Sequence, residues 1–344
     1  MTKGVYAFLA VLNNPTVRKL INSSSATCTK CGESHIEVAL DDYVGISIKR
    51  RRCMKSRVFS RVVKQTLDAS GKAFGVTKEQ LKDGLADPVI RRGLTNVLVG
   101  VATFGVSKPQ TVGAPFLVVW NYTNACNLKC KHCYQDAKTN SLGELSTTQR
   151  KAIIDQLDEE HVASLAFSGG EPLMSKDFFE VASYAAKKGL YVSLASNGTM
   201  ISRSVARKLK GSGVSYVDVS LDGASALTHE SFRGVWGCYE KTMTGLRNLM
   251  SEGITSCIAV TATKNNLQEI PKIIELAKNT GVKRVIVFNF IPTGRGKLQK
   301  AIDLTPVERE QLLENVYDEL VTGGIETLCT APQLARVCLT KSSV

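Results

Sequence analysis

Beyond residue 115, short apolar runs rich in β-branched residues alternate with longer segments in which apolar residues recur every three to four positions. This alternation is typical of repeated βα units that build a parallel sheet. It predicts six strands, at residues 116–121, 163–167, 191–195, 216–221, 256–261 and 284–289. The helices predicted between and after them lie at residues 147–160, 175–188, 202–211, 239–252, 267–280 and 306–322.

Six βα units predict an α/β fold, either a partial (β/α)6 TIM-type barrel or an open doubly wound sheet, and we expect the barrel. In both architectures the functional site lies at the C-terminal ends of the strands. Polar residues and glycines follow the predicted strands repeatedly, for example Ser168-Gly169-Gly170-Glu171 and Ser196-Asn197-Gly198. This pattern favours a ligand site built from the βα loops.

The pattern changes near residues 107–114, where Pro109, Gly113 and Pro115 interrupt it. We therefore predict three regions. A small helical N-terminal domain occupies residues 1–110, the βα core occupies residues 111–300, and a C-terminal helix with the start of a cysteine-containing extension occupies residues 301–344.

The composition is that of a folded globular protein. Of 344 residues, 43% are apolar and 22% are charged, which excludes collagen-like, low-complexity and wholly disordered proteins. The longest near-apolar run, residues 94–106, is shorter than the roughly 20 residues of a membrane-spanning helix. The N-terminus shows no cleavage pattern of a signal peptide. We therefore expect a cytoplasmic protein with no membrane span.

The net charge of +13 is concentrated near the N-terminus, because residues 1–110 hold 18 Lys and Arg against 8 Asp and Glu. Residues 49–64 contain eight basic residues and no acidic one. Such a run suits nucleic acid, an anionic membrane surface or an acidic partner, and its plainest interpretation is a solvated helix face.

Ten cysteines in a chain without an export signal favour metal ligation over disulfides. Cys126, Cys130 and Cys133 follow the first predicted strand in a C-x3-C-x2-C pattern. Three thiolates so close together can bind three irons of a cubane cluster and leave the fourth iron open. A zinc site would need a fourth ligand, for which His132 is the nearest but a strained choice.

Four segments in order carry a family resemblance: CNLKCKHCY, FSGGEP, SNGT, and SLDG followed by HESFRG. Over residues 115–297 the chain resembles the radical S-adenosylmethionine (SAM) superfamily. It is most similar to the branch of the pyrroloquinoline quinone synthesis protein E, the sulfatase-maturing enzymes and the haem-modifying enzymes, many of which carry a C-terminal SPASM extension.

The resemblance implies a 4Fe–4S cluster on Cys126, Cys130 and Cys133, and SAM as the second cofactor. It implies that Tyr134 lies near the adenine and that Gly169, Gly170 and Glu171 meet the methionine moiety. The other residues implied in SAM binding are Ser196 and Asn197 near the ribose, Ser220, Arg233 with a guanidinium suited to the carboxylate, and Ile291 beside the adenine. For Arg233, a surface position on its helix is the alternative. No substrate-side acid or base is identified.

Cysteines outside the triplet divide into three groups. Cys28, Cys31, His35 and Cys53 have spacing suited to zinc or iron, with Ser56 where a second C-x2-C would end; a degenerate structural remnant is the alternative. Cys238 and Cys257 are predicted to be small buried residues. Cys329 and Cys338 stand where related enzymes begin the auxiliary-cluster extension, but too few cysteines follow to predict a complete cluster.

The leading hypothesis is a radical SAM enzyme acting on a peptide, a tetrapyrrole or another cofactor precursor, with an electron donor such as ferredoxin or flavodoxin. The basic run motivates an RNA-modifying enzyme as the first alternative. A non-enzymatic iron–sulfur electron carrier or adaptor is the second alternative, although such a protein has no need of the GGEP and SNGT segments.

Overall fold

A computed structural model describes residues 9–30, 32, 34–46, 53–138 and 143–342. Seven strands form one sheet in which each strand lies beside its neighbour in sequence. They are β1 Leu117–Thr123, β2 Ser164–Gly169, β3 Tyr191–Ser196, β4 Val214–Ser220, β5 Thr255–Ala262, β6 Arg284–Asn289 and β7 Glu326–Cys329. Pairing from β3 through β7 is parallel. This sequential order is that of a partial β/α barrel and excludes the doubly wound alternative, whose strand order reverses.

The helices of the βα repeats lie close to their predicted positions, except that Ala226–Arg233 is a helix that was not predicted. They are α6 Thr147–Glu159, α7 Phe178–Lys187, α8 Arg203–Gly211, α9 Ala226–Arg233, α10 Cys238–Ser251, α11 Ile270–Thr280 and α12 Pro306–Thr322, followed by α13 Leu334–Ser342. Local sequence fixes their ends: Thr305 and Glu308 form a capping box at α12, and Gly281 ends α11 in the left-handed conformation.

Two compact units divide the described chain. One comprises residues 1–118, 148–165 and 187–191, and the other comprises residues 119–147, 166–186 and 192–344. The predicted division at residue 110 remains a prediction. The second unit contains a core of fully buried apolar side chains from strands and helices: Phe167, Phe178, Leu194, Leu209, Leu246 and Ile258. All cofactor residues implied by the family resemblance belong to this unit.

The first unit contains the N-terminal helices α1 Pro15–Ser25, α2 His35–Val44, α3 Met54–Phe74, α4 Lys78–Ala86 and α5 Pro88–Phe104. Their apolar faces meet in a small core that includes Ile21, Ile36, Leu40 and Leu85. Arg92 of α5 is buried and donates to the carbonyls of Val162, Lys188 and Asp158 at 2.6, 3.1 and 2.9 Å. This single guanidinium ties α5 to three backbone positions within the unit.

No helix in the described part of the chain is long and apolar enough to cross a membrane.

Candidate active site

The loop after β1 presents the cysteine triplet. Cys126 and Cys130 are buried and Cys133 is half-buried. Each sulfur accepts a hydrogen bond. The Cys126 sulfur accepts from the Leu128 amide at 3.4 Å, and the Cys130 sulfur accepts from Arg233 Nη1 at 3.6 Å. The Cys133 sulfur accepts from the Ala137 amide at 3.4 Å. N–H donors aimed at cysteine sulfurs stabilise the thiolate form and tune iron–sulfur clusters.

Cys126 and Cys130 need a nearby positive charge to ionise at neutral pH. Burial raises the pKa of Cys126 to about 11, and burial also raises the pKa of Cys130 although Arg233 opposes it. Iron would supply the positive charge that keeps the Cys126 and Cys130 sulfurs deprotonated at neutral pH. The residues present fit an iron–sulfur cluster.

A single-ion site at the triplet finds no support. Among the described residues, the one group of three metal-binding side chains whose ligand atoms lie within 4.8 Å of one another is Cys28, His35 and Cys53. His132 stacks on Phe232 with ring centroids 4.1 Å apart, and its Nε2 lies 3.6 Å from Asp222 Oδ2. Burial lowers the pKa of His132 to about 4. The imidazole is thus a neutral part of the protein interior.

Two distant segments hold the cysteine loop by its backbone. The amides of Lys129 and Lys131 donate to the carbonyls of Arg233 and Phe232 at 3.1 and 2.9 Å. Arg295 donates through its amide to the Cys133 carbonyl at 2.9 Å, through Nε to the Cys130 carbonyl at 3.0 Å, and through Nη1 to the Ala137 carbonyl at 2.5 Å.

Arg295 is a positioning residue that sequence reasoning missed. The available signal was the Thr293-Gly294-Arg295-Gly296 run after the sixth strand. Gly294 has φ +54°, and a Cβ there would lie 2.4 Å from the Tyr134 carbonyl oxygen. Only glycine permits this approach of the two backbones.

The need for glycine at positions 169 and 170 is explained by close packing against the end of β1 and the loop that follows it. Gly169 has φ +119°, and a Cβ there would lie 2.4 Å from the Thr123 carbonyl oxygen. At Gly170 a Cβ would lie 2.1 Å from the Ala125 carbonyl oxygen. The Gly170 and Glu171 amides donate to Thr123 and Ala125 at 2.7 and 2.8 Å. The glycines join two loops of the site, while their approach to SAM remains a prediction.

Glu171 is fully buried and carries the most enclosed carboxylate of the loop after β2. It accepts hydrogen bonds from Ser196 Oγ at 3.0 and 3.1 Å, from the Asn197 amide at 2.8 Å and from the Leu173 amide at 3.3 Å. Burial raises its pKa to about 7, against these donors. A bound ammonium group would favour the ionised form. The structure therefore places the predicted residues Glu171, Ser196 and Asn197 together.

The Asn197 side chain connects the loop after β3 to the cysteine loop. Its Nδ2 donates to Asn127 Oδ1 at 2.8 Å, and its Oδ1 accepts from the Thr199 amide at 2.9 Å. Asn127 Nδ2 in turn donates to Thr199 Oγ1 at 2.8 Å. The side chain of Asn197 is thus already engaged by protein partners.

Arg233 lies inside the protein, so its alternative surface position is wrong. Its Nη2 lies 2.7 Å from Asp222 Oδ2, and Asp222 Oδ1 accepts from the Thr261 amide at 2.8 Å. Burial opposes ionisation of Asp222, but the Arg233 charge, together with His132 and the Thr261 amide, outweighs burial and lowers the carboxyl pKa. The Asp222 charge likewise raises the pKa of Arg233 against burial. Arg233 thus spans the Cys130 sulfur and a buried carboxylate.

The remaining predicted SAM contacts are more open. Tyr134 and Ile291 are 55% and 62% exposed, and Ser220 is half-buried at the end of β4. Strand register aligns Ser220 with Ala259, Ala259 with Ile286, and Ile286 with Leu328. These four residues form a side-chain row across β4 to β7, which is mainly apolar beside Ser220.

The structure also places the residues outside this site. Cys238 and Cys257 are buried, as predicted. Cys31 lies outside the described residues, as do residues 49–52 of the basic run. The described basic residues of the run, Lys55, Arg57, Arg61 and Lys64, are exposed along α3, as expected of a solvated helix face.

Comparisons with known proteins identify the family that this chain resembles. Residues 120–277 match the Radical SAM superfamily model. The chain is 40% identical over 227 residues to an AdoMet-dependent heme synthase of Methanosarcina barkeri, covering 65% of this chain and 64% of that protein. It is 41% identical over 203 residues to the Fe-coproporphyrin III synthase of the same organism, covering 59% and 51%.

A solved structure shares the fold. The crystal structure of Streptococcus suis SuiB bound to S-adenosylmethionine superposes with a TM-score of 0.62 at 15% identity, covering 84% of this chain and 69% of that chain. The aligned segments span only half to two thirds of the length of the two Methanosarcina relatives.

Proposed function

Because the chain belongs to the radical SAM superfamily, we propose that it is an enzyme that uses SAM and a 4Fe–4S cluster to remove a hydrogen atom from a cofactor precursor. When bound, the reduced cluster supplies one electron that splits SAM into methionine and a 5′-deoxyadenosyl radical, which takes hydrogen from the substrate. The observation that carries this proposal is the cysteine triplet, two of its members buried and one half-buried, in which each sulfur accepts a hydrogen bond.

The protein's contribution at the cluster is orientation and charge. Cys126, Cys130 and Cys133 would ligate three irons, and the clamp by Arg295 and the residue 232–234 segment would fix the spacing of the three sulfurs. The guanidinium of Arg233, 3.6 Å from the Cys130 sulfur, would offset part of the negative charge of the ligated cluster.

The protein's contribution at SAM is a buried anion surrounded by polar groups. Glu171 would receive the ammonium group, and its hydrogen bonds from Ser196 and Asn197 would hold the carboxylate in place. Gly169 and Gly170 would bring backbone beside the methionine moiety. Ser220 and Arg233 would meet the carboxylate, and Asn197, Tyr134 and Ile291 the nucleoside. The family resemblance supports all of these assignments. The hydrogen bonds among Glu171, Ser196 and Asn197 support the first of them.

For the substrate we propose a tetrapyrrole. Two relatives at 40% and 41% identity bear names of haem and iron-coproporphyrin synthases. The row of Ser220, Ala259, Ile286 and Leu328 offers an apolar surface suited to the face of a flat macrocycle. A small reductant protein of the ferredoxin or flavodoxin type would supply the electron, in a reducing cytoplasm.

The first test is SAM cleavage. The chain is reconstituted anaerobically with iron and sulfide, reduced with dithionite, supplied with SAM and assayed for 5′-deoxyadenosine. Production is expected for the wild type and for Cys257→Ala, a buried cysteine outside the loop. It is expected to vanish in the Cys126→Ala/Cys130→Ala/Cys133→Ala variant. The proposal would be overturned if the wild type carried a full cluster and its EPR spectrum did not change when SAM was added.

The second test addresses the substrate with coproporphyrin, its iron complex, an unstructured peptide and a structured RNA. We expect the porphyrin absorption band to shift on binding and 5′-deoxyadenosine formation to accelerate with a tetrapyrrole alone. Acceleration by peptide alone would reassign the substrate class. RNA binding that falls with salt and disappears when Arg57, Arg61 and Lys64 are neutralised would favour the RNA alternative.

A further inference from the structure

A second group of metal-binding side chains lies in the N-terminal helical unit. Cys28, His35 and Cys53 bring their ligand atoms within 4.8 Å of one another, although the first and the last are 25 positions apart in the sequence. We propose that these three side chains bind a divalent metal ion, with Zn²⁺ the preferred ion. The site is independent of the SAM chemistry and of the cysteine triplet.

The backbone around Cys28 is folded as a tight turn. Thr27 and Ser34 form an antiparallel bridge, and the Gly32 amide donates to the Cys28 carbonyl at 2.7 Å. Gly32 has φ +76°, a conformation that glycine adopts without strain. The turn therefore brings Cys28 back toward the beginning of α2 and its first residue, His35.

The other two ligands stand at helix starts. The Ser34 side chain caps α2 by accepting from the Glu37 amide at 3.1 Å, which fixes the backbone of His35. Cys53 caps the 21-residue helix α3, and its sulfur accepts from the Ser56 amide at 3.4 Å. A helix N-terminus favours a thiolate, which is the form that binds metal.

Ser56 joins the two ligands and is itself fully buried. Its hydroxyl lies 2.8 Å from His35 Nδ1 and 3.6 Å from the Cys53 sulfur. Metal-binding histidines and thiolates are commonly fixed by polar partners of this kind. Because the Ser56 side chain already faces both ligands, a cysteine there would place a further sulfur at the same point.

The donor set indicates the ion. Two thiolates and an imidazole match the ligands of zinc sites and are too soft for Mg²⁺ or Ca²⁺. The ligands come from the turn after α1, the start of α2 and the start of α3, so an ion would cross-link three segments of one small core. Its binding energy would then add to the stability of the N-terminal helices.

The test uses the full chain carrying Cys126→Ala/Cys130→Ala/Cys133→Ala, so that the triplet cannot take up the probe metal. We expect one Co²⁺ per chain with the intense absorption of tetrahedral cobalt thiolate, and displacement of that Co²⁺ by Zn²⁺. Adding Cys28→Ser, His35→Ala or Cys53→Ser should weaken binding at least about tenfold. Cys338→Ser, a half-buried cysteine elsewhere, is the matched control and should retain the spectrum.

A gain-of-function variant tests the metal site even if the three substitutions above weaken metal binding by misfolding the chain. Ser56→Cys should bind Zn²⁺ at least about tenfold more tightly and strengthen the thiolate absorption. Chelation of the wild-type site should lower the Tm, and Zn²⁺ should restore it. The proposal fails if the chain takes up no Co²⁺, or if Cys28→Ser and Cys53→Ser leave its affinity unchanged. Metal binding by a Cys31→Ser variant shows whether the protein supplies three ligands or four: unchanged affinity indicates three, and weakened affinity indicates four.

Discussion

Gly170 is the residue at which the loops after β1 and β2 approach most closely. A Cβ there would lie 2.1 Å from the Ala125 carbonyl oxygen, which belongs to backbone and cannot swing away. We therefore predict that Gly170→Ala displaces the cysteine loop, costs about 1–3 kcal/mol of stability and lowers cluster content. Iron analysis and urea unfolding measure both effects. Gly211→Ala, where a Cβ would meet nothing within 4 Å, is the control and should be close to neutral.

Asp222 and Arg233 form a buried ion pair at 2.7 Å. Asp222→Asn leaves the guanidinium without its counter-charge, so we predict a loss of about 3–5 kcal/mol in the free energy of unfolding. Glu252→Gln removes the partner of the exposed Arg207 and should cost less than about 1 kcal/mol. Denaturant midpoints measure the difference.

The double variant Asp222→Asn/Arg233→Met tests the reason for that loss. Removing both charges should recover much of the stability lost by Asp222→Asn alone. Equal stability of the single variant and the wild type would show that the pair is not an energetic element of the site.

Single residues differ in how far the sequence reveals them. The cysteine triplet could be predicted because its spacing alone restricts the chemistry. The reason for Gly169 and Gly170 could not, because the clashing carbonyls belong to a loop about 45 residues earlier. The partner of Arg233 was equally hidden, since a long-range ion pair leaves no periodic trace in the sequence.

The elements around the cysteine loop act together through backbone hydrogen bonds. Arg295, from the segment after β6, reaches the carbonyls of Cys130, Cys133 and Ala137. We predict that Arg295→Gln retains the fold but lowers cluster retention about ten- to hundredfold. Arg309→Gln, which loses a contact to Asp303 away from the loop, is the control. Iron release to a chelator, followed beside circular dichroism, measures the effect; identical release rates would contradict it.

In the N-terminal unit, His161 connects the end of α6 to α2. Its Nδ1 lies 3.1 Å from Glu37 Oε1, its Nε2 lies 3.0 Å from the Ser25 carbonyl oxygen, and Arg92 faces the same carboxylate at 3.7 Å. Burial lowers the His161 pKa, but the Glu37 hydrogen bond and charge outweigh burial and raise it above its ordinary value. Its stabilising effect is therefore full below about pH 6.5 and is lost as pH rises through the raised pKa.

We predict that His161→Asn lowers stability by about 2 kcal/mol at pH 6 and by less at pH 9. Asparagine tolerates the left-handed backbone at this position, φ 57°, so the change reports the charge rather than strain. Urea unfolding at the two pH values is the measurement. The exposed Glu160→Gln is the control; a His161→Asn loss that is the same at both values would contradict the predicted linkage.

Periodicity predicted six strands and the helices between them because each strand is an apolar run next to a longer amphipathic segment. It missed the short helix α9, and it missed β7, Glu326–Cys329, whose four residues are too few to show a period. Its pairing with β6, and the bond from Thr327 Oγ1 to the Val316 carbonyl at 3.0 Å, depend on tertiary contact. The type of an element could thus be predicted where its periodic pattern was long. The short strand β7 depends on tertiary packing instead.

At the scale of the whole molecule, sequential strand order brings the loops after successive strands into one row. The cysteines, Glu171, Asn197 and Asp222 each follow a different strand, from β1 to β4, yet they belong to one hydrogen-bonded site. The sequence predicted this because ligand sites in β/α barrels lie at the C-terminal strand ends. The order of the motifs along the chain therefore reflects their order around the site.

The clamp on the cysteine loop also sets an order of events during synthesis. Arg295 is made 165 residues after Cys130, whose carbonyl it holds. At about 5–20 residues per second, the ribosome needs roughly 8 to 33 seconds to cover that interval. During that interval the three cysteines have been synthesised, but Arg295, which holds their loop, has not. We expect cluster insertion to be a late step, completed after residue 295 has left the ribosome.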